Sequence, residues 1–479
     1  MTGQIYYVHY FCGLLKHTRA LMRSTSSQPL PVSAHLLADI LSVSYATIKH
    51  WEDIGKLVPI QITDKEQVYD LNQLTHLQAV KEMLNSTWVD EPQPASHSSI
   101  ELFAGAGGLA IGLEKAGFEA TLLNEIDHDA CDTLRKNRPH WQVKEGDIRI
   151  IDFKPFAGID FLSGGFPCQA FSYAGQQRGF DDARGTLFFE MARAIQETQP
   201  KVFMAENVKG LLTHDQGRTL QTIKKIIHEL GYVLIEPRVL KALFYKVPQK
   251  RERLFLIGIR QDLLPLIDLS YLGWPSPYHR VLTLRDAFTA GDLYDCDVPL
   301  SEGTQYPPQK AKILAKVPEG GDWRDLSIAE QKEYMKGSFE LGGGKTGMAR
   351  RLSWDLPSLT LTCSPAQKQT ERCHPVETRP LTIREYARIQ TFPDHWNFSG
   401  SVSSQYKQIG NAVPVNLAFA MGLSLSRLLS AIKAEKPQAG QKHPRAFQID
   451  PKKKLTVPDL PRSKKGDLVT ERSQYDLPL

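Results

Sequence analysis

Residues 164 to 172 read Gly-Gly-Phe-Pro-Cys-Gln-Ala-Phe-Ser. They set Cys168 between an apolar run, Ile159 to Leu162, and a loop rich in Gly and Arg. After a second apolar run comes Glu206-Asn207-Val208. A cysteine and a carboxylate at the ends of neighbouring strands are the parts needed to attack an electron-poor ring. The thiolate adds to a carbon, and the acid holds or protonates a ring nitrogen so that the ring accepts the electrons. A lone Pro-Cys would carry little weight, because most single cysteines are small buried hydrophobes. Its surroundings decide the matter.

Upstream, Ile100 to Leu109 reads as a strand, a turn with Gly105, Gly107 and Gly108, and the start of a helix. Such glycines let the backbone approach a ligand, and the helix N-terminus offers N–H groups. The next acid at a strand end is Glu125, placed about 20 residues past the turn to bind ribose hydroxyls. A third strand end carries Gly146-Asp147-Ile148, where Asp147 is placed to accept from an adenine amino group. Singly, each acid reads as a solvated loop carboxylate. In this order they outline a nucleoside site.

From Ser99 to Leu429, apart from a variable stretch, the chain resembles the DNA cytosine-5 methyltransferases. Phe103 to Gly108 looks like the S-adenosylmethionine loop, and Asn124-Glu125 and Gly146-Asp147-Ile148 look like its ribose and adenine contacts. Pro167-Cys168-Gln169 matches the nucleophile motif, Arg184 to Phe188 the segment after it, and Glu206-Asn207-Val208 the acid motif. Gln249 to Arg253 matches the basic strand motif. Arg379 to Glu385 and Gln408 to Pro414 match the two closing motifs.

The resemblance implies a Rossmann-like α/β methyltransferase fold with a small target-recognition domain. It implies that Cys168 adds to C6 of cytosine, that Glu206 bridges ring N3 and the exocyclic amine, and that Arg253 contacts O2. A free thiol with a pKa of about 8.5 is only a few per cent ionised at neutral pH. Arg251, Arg253 and the cofactor's sulfonium would raise that fraction. A water would remove the C5 proton after transfer. The implied cofactor contacts are Phe103, Gly105, Gly107, Gly108, Leu109, Glu125, Ile126, Asp147, Ile148, Pro167, Leu187, Asn411 and Val413. A base inside a duplex must be flipped out, at a cost of a few kcal/mol. Gln169 to Thr186 suits a loop closing over it, with Gln169, Ser172, Arg178 and Arg184 facing DNA. Thr360, in Pro357 to Leu361, would hold a backbone phosphate.

The elements that must position these groups follow from length and pattern. The 479 residues suffice for two or three domains. Residues 99–280 and 379–432 read as the two parts of a catalytic domain. The alternation of strand and helix from 100 to 260 predicts a parallel sheet with helices on both faces. Residues 281–378 break the pattern and fill the place of the target-recognition region. They hold Trp323, Arg324, Lys345, Arg350, Arg351, Trp354, Gln367, Lys368, Gln369 and Arg372, and the polar stretch between Thr362 and Pro375 suits either base-edge readers or a plain surface loop.

Residues 31–88 form a separate unit, with 89–98, including Asp90 to Pro94, as its linker. Val32 to Leu41 reads as a helix, Ser44 as the N-cap of Tyr45 to Ile54, and Gly55 as its end. This resembles the winged helix-turn-helix of the MerR and excisionase type. The resemblance implies Tyr45, Thr47, Lys49 and His50 in a major groove. The blander reading is a small helical domain that packs on the enzyme.

No apolar run approaches the ~18 residues of a membrane span. Six cysteines in so long a chain make no disulfide scaffold, which points to the cytoplasm. Cys363, Cys373 and His374 match no strong zinc spacing, and no metal is expected. Residues 1–30 read as an unstructured arm without signal-peptide features, and Met22 is an alternative start. Residues 433–479 carry eleven Lys or Arg against six Asp or Glu, which accounts for the whole net charge of +5. They read as a disordered tail, either weakly attracted to DNA or simply solvated.

The expectation is a monomeric enzyme of a prokaryotic restriction-modification system. It would methylate double-stranded DNA from S-adenosylmethionine, beside a cognate endonuclease and at the nucleoid. The rivals are a transfer-RNA methyltransferase and a DNA-binding regulator without turnover. The long recognition region argues against the first, and the intact Cys168, Glu206 and Arg253 against the second.

Overall fold

The computed structural model describes residues 29–62, 67–166, 187–266, 273–340, 342 and 345–434. The tail beyond 434 and nearly all of the expected arm lie outside them. The chain divides into two compact units between Lys81 and Glu82.

In the first unit, β1 (Pro31–Ser33) leads into α1 (Ala34–Leu41) and α2 (Tyr45–Asp53). β2 (Gln61–Ile62) and β3 (Gln67–Asp70) pair antiparallel, and β1 pairs with the other edge of β3. A short 3-10 turn then leads to α3 (Gln78–Leu84). Two serines set the helix starts. Ser33 accepts from Leu36 N–H, and Ser44 accepts from Thr47 N–H at 3.0 Å. The first helix therefore begins at Ala34 rather than Val32, which lies in the strand. Leu37, Ile40, Ile48, Tyr69 and Val80 form the core, and Leu36 is only half-buried.

The second unit is built on β4 (His97–Leu102), α4 (Gly108–Lys115), β5 (Phe118–Glu125), α5 (His128–Asn137), β6 (Val143–Glu145), β7 (Phe161–Gly164), α6 (Leu187–Thr198) and β8 (Val202–Asn207). These strands are parallel, in the order β6-β5-β4-β7-β8. The chain runs outward from β4 to β6 and then restarts on its other side at β7. That reversal opens a crevice at the strand C-termini, where open α/β sheets bind ligands.

Beyond β8 the expected parallel order fails. After α7 (Arg218–Glu229) come β9 (Tyr232–Leu234), β10 (Arg238–Lys241), β11 (Gln249–Lys250) and β12 (Glu252–Arg260). β12 pairs antiparallel with β8, β9 and β10. The stretch from β10 to β12 is too short for the crossover that parallel neighbours need, so the chain reverses.

The last elements are α8 (Leu284–Phe288), α9 (Pro308–Leu314), α10 (Ile328–Met335), β13 (Ser358–Leu359), α11 (Ile383–Ile389), α12 (Val402–Asn411) and α13 (Val415–Ala434). Leu284, Ala287 and Phe288 pack with α11, under the cofactor crevice. A separate core within the expected recognition region begins later, with Tyr306, Ile313, Leu314, Tyr334, Met335 and Met348. By length and hydropathy α12 and α13 together pass for a membrane span, yet α13 is a core helix packed on α4.

Two ties fix the edges of this unit. The expected linker is fastened down: Asp90 pairs with Lys246 at 2.9 Å, and Trp88 packs edge-on against Tyr278 and Phe419. At the N-terminal end of β7, Asp160 pairs with Lys201 at 2.6 Å and with Lys433 of α13 at 2.9 Å. Burial alone would raise the Asp160 pKa, but the two ammonium groups hold it down to about 2. Its stabilisation is therefore present above the unfolded value of about 3.9 and is lost as pH falls through about 2. Asp160→Asn is expected to cost about 1–2 kcal/mol at pH 7, discounted for the partly exposed lysines. Urea unfolding should show that gap closing between about pH 4 and pH 2. A gap independent of pH would remove the ion pair as its cause.

Candidate active site

The glycine turn is bent by necessity. Phe103 has φ +58°, and Gly105 and Gly107 have φ +54° and +87°. Gly108 opens α4, and a Cβ there would lie 2.4 Å from Val413 O and 3.0 Å from Ala412 Cβ. Only glycine lets the closing motif lie against the loop. From beneath, the buried Trp396 donates its indole N–H to Ala106 O at 3.1 Å. Nothing in the sequence had marked Trp396.

Glu125 stands at the end of β5, facing this turn. Its Oε2 accepts from Gly105 N–H at 2.7 Å, and its Oε1 accepts from Ile126 and Asp127 N–H at 2.8 Å each. An ionised carboxylate has about four acceptor positions, so capacity remains for a hydroxyl. Asn124 ties this strand end to the next through Lys144 O and Gly146 O, at 3.1 and 3.0 Å. Asp147 thereby sits beside Glu125, capping its own turn through Arg149 N–H at 2.9 Å. Ile126 is 67% exposed, whereas Ile148 is already part of the core. Leu109 and Val413 are buried, Leu187 is half-buried and Asn411 is exposed. Below the turn, Glu101 is buried. Burial and then the charge of Glu125 push its carboxyl well above the usual range. The sequence reading had missed it.

At the ends of β8 and β12 the structure joins two of the expected catalytic groups. Arg253 Nε lies 2.6 Å from Glu206 Oε1, and both side chains are about 12% exposed. A Cβ on Gly165 would lie 3.0 Å from Glu206 Oε2, so the chain leaving β7 passes directly beside the carboxylate. Asn207 pins that exit by donating to Phe166 O at 2.9 Å. Pro167, Cys168, Gln169, Ser172, Arg178 and Arg184 lie outside the described residues.

Arg251 has a different place from the one expected. It is fully buried, and its terminal nitrogens donate to Leu361 O (3.1 Å), Gly410 O (3.0 Å) and Asn411 O (3.5 Å). Burial, helped by the charge on Arg253, pulls its pKa down to about 9. It is thus a buried donor to backbone carbonyls rather than an exposed cation. Its donors meet carbonyls that the last turn of α12 leaves open, where the helix dipole favours a cation.

Thr360 also departs from expectation. Its hydroxyl donates to Lys250 O at 2.7 Å, beside the parallel pairing of β11 with β13. The proton a phosphate would need is already committed.

Several basic residues of the 281–378 stretch are engaged within the fold. Arg351 is buried and donates to Val317 O, Leu314 O and His374 O, and Arg372 is buried beneath Thr360 O. Arg324 and Arg350 both clamp Asp322 at 2.7 Å. Lys368 donates to Met335 O. Gln367 and Gln369 are exposed. On α2, Tyr45 and His50 are exposed, but Tyr45 stacks on His35, and Lys49 is drawn to Glu52 and Gln67. Thr47 shares its hydroxyl with Ser44 at 2.8 Å.

Comparison with known proteins agrees with this architecture. Residues 97–427 match the family model of the C-5 cytosine-specific DNA methylases, and residues 33–87 match that of the MerR HTH family regulatory proteins. The chain is 62% identical over 400 residues to the Type II methyltransferase M.Eco47II of Escherichia coli, covering 83% of this chain and 95% of that one. It is 45% identical over 419 residues to M.Sau96I of Staphylococcus aureus, covering 87% and 92%. The fold superposes with a TM-score of 0.51 on a prophage-encoded E. coli protein titled as a DNA modification methyltransferase. That match is 25% identical and covers 70% of this chain and all of the other. With its motifs in order and its acid and arginine paired at adjacent strand ends, the chain belongs to the C-5 cytosine-specific DNA methylases, with a MerR-like helix-turn-helix at its N-terminus.

Proposed function

We propose that Cys168, Glu206 and Arg253 carry out methyl transfer to C5 of a cytosine flipped out of duplex DNA, with S-adenosylmethionine as donor. The observation that carries this is the Glu206–Arg253 pair beside Gly165, three residues before Cys168. Cys168 sulfur bonds to C6, and the displaced ring electrons move toward C5. Glu206 shares a proton with N3 and accepts from the exocyclic amine, its carboxyl group oriented by Arg253. Once C5 carries the methyl group, water removes the C5 proton. The C6–S bond breaks as the aromatic ring reforms. When bound, the cofactor would supply the methyl group to C5 from a sulfonium, the bonding pair staying on sulfur. Residues able to hold it are Phe103, the glycine turn, Glu125 and Asp147, with Ile126 as an apolar edge. The close contact of Gly108 with Val413 and the spare acceptor capacity of Glu125 support that fit.

The family's chemistry also supports a monomer acting on DNA in the cytoplasm, at the nucleoid, with a cognate endonuclease of the same system as an unbound counterpart. The first unit is a second DNA-binding module that represses the enzyme's own synthesis.

Cys168→Ser should nearly abolish methyl transfer and leave cofactor affinity within about tenfold. Duplex carrying 5-fluorocytosine should trap the unaltered protein covalently, and trapping by the serine variant would remove Cys168 as nucleophile. Glu125→Ala leaves three N–H groups unpaired as well as the ribose. Calorimetry should show the cofactor Kd rising by about tenfold to hundredfold, at about 1–3 kcal/mol. An unchanged Kd would show that Glu125 does not hold the cofactor.

Deleting residues 1–84 should preserve methylation but remove a salt-sensitive part of DNA binding, including preference for the DNA upstream of the gene. Deletion to residue 95 should in addition lower Tm, because Trp88 and Asp90 are lost from the second unit. Gel-shift titration and thermal melts read both outcomes. Equal DNA affinity with and without residues 1–84 would leave the module only a packing role.

A further inference from the structure

Gln390 follows α11 and is fully buried. Its Nε2 donates to Ile409 O at 2.8 Å and to Ala412 O at 3.0 Å. Its Oε1 accepts from Gln249 Nε2 at 2.8 Å. Gln249 is equally buried, and its Oε1 accepts from Leu361 N–H at 3.0 Å. Between them, Gln390 and Arg251 donate to the four successive carbonyls of Ile409, Gly410, Asn411 and Ala412, and Gln249 holds Gln390 in place.

The two ends of this line reach different sites. At one end, Ala412 and Val413 lie against Gly108 of the cofactor turn. At the other, Gln249 is two residues before Arg251 and four before Arg253, which grips Glu206. Buried amides of this kind have few alternative partners, so the line shifts as a unit or not at all. We propose that Gln390 is a positioning residue for methyl transfer. Through Gln249 it holds the cofactor turn and the Arg253 strand in register, so that filling one site is felt at the other. This rests on the assignment of Glu206 and Arg253 to the base site.

The test uses the full-length protein and S-adenosylhomocysteine, which cannot react. Its Kd is measured by calorimetry alone and with saturating plasmid DNA that lacks 5-methylcytosine. The unaltered protein should show about a tenfold difference between the two. Gln390→Met, which keeps the size and drops the hydrogen bonds, should bring that ratio to within about twofold of one. Gln249→Met should do the same, and the double variant should be no worse than either single one.

A purely structural role would weaken both affinities equally and leave the ratio intact, which would overturn the proposal. So would a ratio of one in the unaltered protein. If Gln390→Met does not fold, Gln249→Met decides alone, since Gln390 then keeps its hold on Ile409 and Ala412. Failure of the base-site assignment reads differently: Glu206→Gln would retain full turnover whatever the ratio.

Discussion

The last turn of α12 leaves backbone carbonyls without helical partners, and it does so in the interior of the second unit. Burying such groups unpaired costs about 1–3 kcal/mol each. The chain answers with side chains from remote segments: Arg251 from the start of β12, and Gln390 from beyond α11. Gly410 lets Thr362 O come within reach, since any Cβ there would sit 2.2 Å from it. The strand carrying Arg253, the segment around Leu361 and the glycine turn are therefore hung on one helix end. This also explains a buried guanidinium with no carboxylate in contact, because the negative pole of a helix takes that part.

The Glu206–Arg253 pair has another logic. Two nearly buried opposite charges recover little net stability, because desolvation offsets most of their attraction. Their value lies in geometry. The antiparallel register sets Phe255 opposite Glu206 and Leu254 opposite Asn207, which brings Arg253 to the carboxylate. A parallel neighbour would have carried the motif's arginines toward the other end of the sheet. The reversal at β12 thus belongs to the chemistry as much as to the fold.

The cofactor crevice depends on support from the end of the chain. Trp396 and Val413 reach the glycine turn from segments nearly 300 residues away in sequence. The turn's left-handed residues need such backing, since strained backbone persists only where its surroundings hold it.

Local chemistry carries far in this sequence. The glycine turn, the acids at strand ends, the helix cap at Ser44 and the order of the motifs are legible because each rests on residues adjacent in the chain. Residue type alone, however, could not assign the arginines. Arg251 looks like a catalytic cation, and Arg351 and Arg372 look like free cations of the 281–378 stretch, yet burial turns all three into donors for backbone carbonyls. Thr360 and Lys49 likewise find partners far along the chain. The sequence by itself determined the family and the place of the glycine turn at the end of its first parallel strand. Tertiary structure decided which of the cations remain free, because a guanidinium bonds whatever acceptor the fold brings to it.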